Sequence, residues 1–297
     1  MMVWRHTLSA LIASSFLIAP AAGHAEEERE GGILGTGIVG TITRLGSIIV
    51  NEQRITFPAD LPVKNELGPL TAAQLVPGDT VAVVADLTGA NWEAQSIRRI
   101  LPIIGPVSEI SSDETGRTFE IMGTAVHVPL SIATTVKQGD WVAISGLWQD
   151  EDVVATRVEV VPPRQSAVII GSNLSVGASN VPQIGNTLIA GIIPQHVESG
   201  DVIRVTGIPE AGSIRATSLE TGIFDGKVGL VQAEGYLSPP TSKGLYTLLG
   251  SGMVAFTDQP DMIDETAKVR LCGYDGKLGG NSTADANPEL LEKLGCQ

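Results

Sequence analysis

The chain has 297 residues, with 33 Asp and Glu against 19 Lys and Arg, a formal net charge of −14. That balance argues against a nucleic-acid partner, whose phosphates are bound by clustered cations that displace counterions. Apolar residues at 43% with only 18% charged exclude wholesale disorder, and aromatics at 4% leave few rings for stacking on sugars or bases.

In chain order, residues 1–25 read as a secretory leader. Arg5 gives the positive start, 8–18 the apolar stretch, and Pro20, Gly23 and Ala25 the break and the small side chains before a cleavage point. The apolar stretch falls short of the roughly 20 residues that span a bilayer. An acidic linker follows over 26–32, where Glu26-Glu27-Glu28-Arg29-Glu30 reads as a solvating tail. The expected mature chain is therefore exported, periplasmic or secreted, with no membrane span.

The body repeats itself. Gly78-Asp79, Gly139-Asp140 and Gly200-Asp201 each open an alternating apolar run, and they stand 61 residues apart. Ala94, Ala155 and Ala216 keep the same period, each three residues before an apolar Ile97, Val158 or Leu219. Two landmarks in register indicate internal duplication. The expected division is β modules at 33–104, 105–165 and 166–226, a degenerate fourth at 227–280, and a tail at 281–297 with a short helix. In the fourth, Val269-Arg270-Leu271 aligns with Ile203-Arg204-Val205, but the Gly-Asp turn is missing and no final strand is evident after Gly279.

Within the first copy, period-two patterning predicts strands at 38–44, 47–51, 54–57, 80–85 and 93–100. Residues 69–75 are long enough for about two helical turns, and 131–138 and 192–199 occupy that place in the next copies. Each Gly-Asp pair supplies a turn, Gly by its backbone freedom and Asp by bonding nearby amides. Five strands with a short helix between the third and fourth is the order of an OB-type barrel, so the fold is expected to be all-β, as tandem small barrels. Neighbouring copies are expected to pack edge to edge, with Pro162-Pro163 as a joint.

The run Gly35-Thr36-Gly37-Ile38-Val39-Gly40-Thr41-Ile42, followed by the Gly-Asp and Ala repeats, resembles the bacterial domain of unknown function 5666 over roughly residues 33–226, with a weaker echo to 280. The resemblance implies tandem exported β modules. It brings no activity and no catalytic residues.

Few residues suggest chemistry. Gly35 to Gly40 matches G-x-G-x-x-G, but the dinucleotide fingerprint needs a helix after it and here strand continues, so no cofactor is expected. His127 and His196 are not equivalent in the repeats and have no convergent ligands at metal-binding spacing, so no metal is expected. Asp258, Asp261, Asp264 and Glu265 lack the spacing of a calcium loop and read as a solvated turn. Cys272 and Cys296 survive leader cleavage and are expected to pair, tying the tail to the last module. No G-x-S-x-G elbow appears. Trp92 and Trp148, beside the loops joining strands four and five, are the candidate recognition positions, whereas Trp141 reads as packing. The expected function is a non-catalytic exported protein that binds a protein, a peptide or a cell-envelope component. The alternative is a carboxylate-dependent hydrolase of an envelope polymer, which requires two facing carboxylates in one cleft.

Overall fold

The structure, a computed structural model, describes residues 34–172, 174–176, 181–191, 200–279 and 282–296. The leader, the acidic linker, His196 and the segment 192–199 lie outside the described residues.

The first barrel contains β1 (Gly35–Arg44), β2 (Ile48–Val50), β3 (Gln53–Thr56), β4 (Pro62–Lys64), β5 (Leu70–Thr71), β6 (Thr80–Thr88) and β7 (Asn91–Ile100). The second contains β8 (Ile103–Ser112), β9 (Gly116–Ile121), β10 (Thr124–Pro129), β11 (Trp141–Gln149) and β12 (Asp152–Val161). The third set is β13 (Ala167–Gly171), β14 (Leu174–Val176), β15 (Pro182–Ile184), β16 (Thr187–Ala190), β17 (Ile203–Glu210) and β18 (Ser213–Thr221). The last is β19 (Val228–Gly235), β20 (Leu245–Leu248), β21 (Met253–Phe256), β22 (Val269–Tyr274) and β23 (Lys277–Leu278), followed by helix α1 (Pro288–Leu294).

One pairing order recurs. In the first barrel β1 pairs β2, β2 pairs β3, β3 runs parallel to β7, β7 pairs β6, and β6 returns to β1. The second barrel closes in the same way through β8, β9, β10, β12 and β11. The third set follows that order with its first strand divided into β13 and β14. In the fourth, β19, β22, β23 and β21 continue to β20, which reaches back through the Leu237–Leu248 bridge. A final strand therefore does exist in the fourth copy, before Gly279. It was hidden because it is two residues long.

The repeat extends to irregularities. Ala94, Ala155 and Ala216 face Ala85, Gly146 and Gly207, and each pair sits at a bulge in the hairpin of strands four and five. A Cβ on Gly146 would lie 2.5 Å from the Val154 carbonyl oxygen, and one on Gly207 2.2 Å from that of Arg215, so the close approach demands a small residue.

The expected helical segments shrink. At 69–75, β5 pairs with β4 and leaves only a single 3₁₀ turn, Ala72–Gln74, begun by Thr71 and Gln74 bonding each other's ends. In the second copy 131–138 holds no helix. Bracketing prolines and strand pairing consume the residues a helix needs.

Strands of the first barrel are buried on both faces. Ile38, Val81 and Val83 fill the interior of the first barrel, while Val39 and Ala82 point outward into a second cluster. The second barrel repeats this, with Val142 and Ile144 inside and Ala143 outside. The outward cluster also takes Val168, Ile170, Val231, Leu237 and Leu248, so all four strand sets meet around one apolar centre. This explains the near-continuous apolar runs after the Gly-Asp turns, which signal burial on both sides.

Edge-to-edge packing occurs, between consecutive copies in one case and between the first and last in the other. The second and third sets join antiparallel through β8 and β13, with Pro162 and Pro163 in the short connection before β13. The first joins the fourth, through β1 parallel to β19. Helix α1 is capped by Asn287, whose side chain accepts from the Glu289 amide (2.9 Å), and ended by a left-handed Gly295. Its Leu294 is buried in the core of the first barrel, and the Leu294 carbonyl accepts from the side-chain amides of Gln53 (3.2 Å) and Gln232 (2.5 Å). Cys272 and Cys296 form the expected disulfide, with Cα atoms 5.7 Å apart. It holds the tail to the fourth barrel while the helix lies against the first.

Candidate functional site

The Gly-Asp turns are structural. Gly78, Gly139 and Gly200 have φ of +92°, +89° and +92°, a region that disfavours other residues. The Asp79 carboxylate accepts from the Val76 amide (3.0 Å), and that of Asp140 from Lys137 (2.9 Å). The main chain of the first two turns is stitched to the first strand of its barrel, Gly78–Asp79 to Ile42 and Gly139–Asp140 to Val107. Asp201 has partners of its own. Asp79 differs from its repeats: it is 2% exposed and paired with Arg99 (3.0 Å) and Arg157 (2.8 Å), both also bound to Glu159. This cluster clamps the first barrel to the second. Another joins the first to the third, where Arg204 meets Glu66 (2.9 Å) and Arg98 meets Asp225 (2.9 Å). Burial pushes the Asp225 carboxyl up, but hydrogen bonds and charge from Lys64 and Arg98 outweigh it and hold the group below its ordinary value.

Trp92 and Trp148 do not offer a recognition surface. Trp92 is 1% exposed, and its indole N–H donates to Gln53 Oε1 (3.0 Å), the same side chain that reaches the Leu294 carbonyl. Trp148 is 3% exposed and donates to the Ile170 carbonyl (2.6 Å), with its ring against Gly185 of the third set. The two rings are covered by other parts of the chain, whereas residues 88–91 and 150–151 of their loops are exposed, and Leu87, Gly89 and Ala90 line an open depression beside α1. Trp141 packs between two clusters. The glycines of the G-x-G-x-x-G run lie inside β1, where Gly37 accommodates the Phe224 ring.

His127 Nδ1 meets the Thr118 hydroxyl (3.1 Å) and its Nε2 meets Asp152 (3.0 Å), on the open outer wall of the second barrel. Among the described residues no group of three or more His, Cys, Asp or Glu is placed to hold a metal. Asp113 and Asp264 are lowered below the ordinary carboxylate value, first by hydrogen bonds from the Thr115 and Thr266 hydroxyls. Asp264 thus closes a turn within the acidic run. Between α1 and the first barrel lies an open depression of about 680 Å³, with Glu52, Arg54, Arg270, Glu289 and Lys293 on its walls. Its charges are mixed.

The strongest candidate is elsewhere. On the fourth strand set an open groove of about 830 Å³ runs between β21 and the turn after β23, lined by Tyr246, Val254, Phe256, Tyr274, Lys277 and Leu278 among others. It gathers two of the chain's three tyrosines with Phe256, whose side chain is 72% exposed. The local reason is the two-residue β23. Strand five runs ten residues in the first two barrels and nine in the third, so here the wall stops early and leaves the groove open. The sequence reading missed these residues. The available signal was the Tyr274-Asp275-Gly276-Lys277 hairpin, at the same place between strands four and five that directed attention to Trp92 and Trp148.

No helix among the described residues is long and apolar enough to cross a membrane. No curated protein sequence matches this chain. A solved structure described as "drosophila Unr CSD456" is similar at 16% identity and a TM-score of 0.16, over 43% of this chain and 63% of that one. This chain thus spans less than two thirds of that structure's length. The resemblance read from the sequence extended over three copies, whereas the family model matches within the second barrel alone. Residues 104–159 match the model described as domain of unknown function (DUF5666), and the chain carries a domain of that family there.

Proposed function

We propose that this chain is an exported, non-catalytic binding protein whose recognition surface is the groove of the fourth barrel. The observation that carries the reading is Phe256, a large ring left exposed at an open depression that the half-buried Tyr246 and Tyr274 also line, whereas Trp92 and Trp148 are buried. Apolar rings kept at a concave surface mark recognition sites more often than scattered exposed residues do. The class of partner is a protein, a peptide or a cell-envelope component, met in the periplasm or outside the cell. A hydrolase would need one carboxyl raised to serve as acid. Asp113, Asp225 and Asp264 are lowered, so none of these three is suited to that acid role.

Photo-crosslinking in the native envelope tests this reading. A benzophenone side chain at position 256 should capture a partner, whereas the same group at 130 should not, since Leu130 is also 72% exposed but lies on the second barrel. Identical adducts at both positions, or none at 256, would refute the groove as the site.

A further inference from the structure

We infer that the groove of the fourth strand set is under redox control: the Cys272–Cys296 disulfide holds its Tyr274 wall in the shape that binds, and reduction by a dithiol lets that wall go. This rests on the groove being the recognition surface and adds how that surface is regulated.

The first observation is a covalent ring. Of the ten described residues lining the groove, six lie between the two cysteines: Tyr274, Asp275, Lys277, Leu278, Gly279 and Ser282. This wall has few ladder ties to the rest of its set. β23 pairs with β22 at two positions and with β21 at one, Val254 with Lys277. Past β23 the hydrogen bonds turn back into the ring. The Gly279 N–H donates to the Cys272 carbonyl (3.2 Å), and the Ser282 hydroxyl meets the carbonyls of Lys277 (2.8 Å) and Gly279 (2.6 Å).

The second observation links that wall to helix α1. Tyr274 packs against the core of the first barrel, in the cluster that also takes Leu290, Leu291, Leu294 and Cys296. One apolar cluster thus serves both the docked helix and a ring of the groove. The helix depends on that docking. It has seven residues, and Leu294 is its one buried side chain. Isolated helices shorter than about 12–15 residues are marginal in water, so release of α1 and its melting are one event. Among the described residues Glu289, Glu292 and Lys293 form no ion pair that would hold the helix down. Cutting the 24-residue ring restores the freedom of the tail and should shift docking toward release on the order of a hundredfold.

The bond is open to exchange, since Cys272 and Cys296 are both partly exposed. A thiolate of the dithiol attacks one sulfur, the Cys272–Cys296 bond breaks, and the dithiol's second thiol resolves the mixed disulfide. Two electrons and two protons pass to the cysteines, which become thiols, and the dithiol leaves as a disulfide.

The test uses the full chain, oxidised, carrying trifluoromethylphenylalanine at position 256 or, as a control, at the exposed position 130, read by fluorine NMR. Dithiothreitol should shift the 256 resonance and leave the 130 resonance in place, which also shows that the second barrel stays folded. Cys272→Ser with Cys296→Ser should hold the 256 resonance at its reduced position and abolish the response to dithiothreitol. Leu294→Ala, which weakens docking with the disulfide intact, should move it in the same direction. Benzophenone crosslinks from position 256 should fall about tenfold in the double-serine variant, because only a fraction of molecules then presents a formed wall. A 256 resonance unmoved by reduction, or a 130 resonance that moves with it, would overturn the redox control, as would equal crosslinking with and without the disulfide. Crosslinks from the oxidised protein would still uphold the groove in each of those cases. Their absence from the oxidised protein would remove the groove reading itself, and the regulation with it.

Discussion

The second barrel closes through strand pairs, whereas the fourth strand set follows the same order and returns only through the Leu237–Leu248 bridge. In the second, strands four and five run nine and ten residues, and the Trp148 ring seals their hairpin against the third set. In the fourth, strand five has two residues, no ring seals the matching hairpin, and Phe256 beside it faces solvent while Tyr246 and Tyr274 are half-buried. The second barrel completes its own wall. The fourth leans on its neighbours, through β1 parallel to β19 and through the disulfide to the tail. The contrast shows how a duplicated unit can retain its topology after its strands shorten, provided the lost interior contacts are replaced from outside.

The largest effect should come from the closed side. Trp148→Ala removes a buried ring and leaves the Ile170 carbonyl without its donor, and should destabilise by about 3–5 kcal/mol in chemical denaturation. A loss below 1 kcal/mol would show that the second barrel does not depend on that plug. Next comes the disulfide. Replacing Cys272 and Cys296 by Ser opens a loop of 24 residues and should cost about 3 kcal/mol in the chain-entropy picture. Denaturation with and without reductant should give the same loss in the natural protein and none in the double variant.

A smaller effect is set by pH. The folded Asp225 carboxyl lies below its unfolded value, so its pairing with Lys64 and Arg98 contributes stability at neutral pH. That contribution is lost as pH falls below the ordinary carboxylate range and through the lowered folded value. Asp225→Asn should therefore reduce stability at neutral pH and reduce the difference between neutral and acid melting. The smallest effect belongs to the open side. Phe256→Ser should change stability by less than about 0.5 kcal/mol, as an exposed substitution outside any packed cluster. A large loss would mean that the ring supports the fold, and the comparison of the two barrels would need redrawing.

The period of 61 was legible because turns and bulges demand particular residues. A Gly-Asp turn needs a positive φ at Gly and a carboxylate for the nearby amide, and Ala94, Ala155 and Ala216 mark a crowded bulge. The arrangement between barrels was less legible. Val81-Ala82-Val83 shows that both faces are buried, but nothing in those residues says that Val39 and Val231 supply part of the covering. Trp92 and Trp148 failed as recognition positions for the same reason: a loop ring is presented or buried according to distant segments, here α1 and the third set. The open groove escaped notice because the fourth copy departs from the period, and its functional candidate is a consequence of that departure.

The parallel join of β1 to β19 has a bearing on biosynthesis. Gly35 cannot meet Val228 until nearly the whole chain has been made, so the amino-terminal unit carries an unsealed flank throughout translation. Vectorial, one-unit-at-a-time maturation is thereby prevented, and a polypeptide released early would be left with an adhesive rim at 37–39.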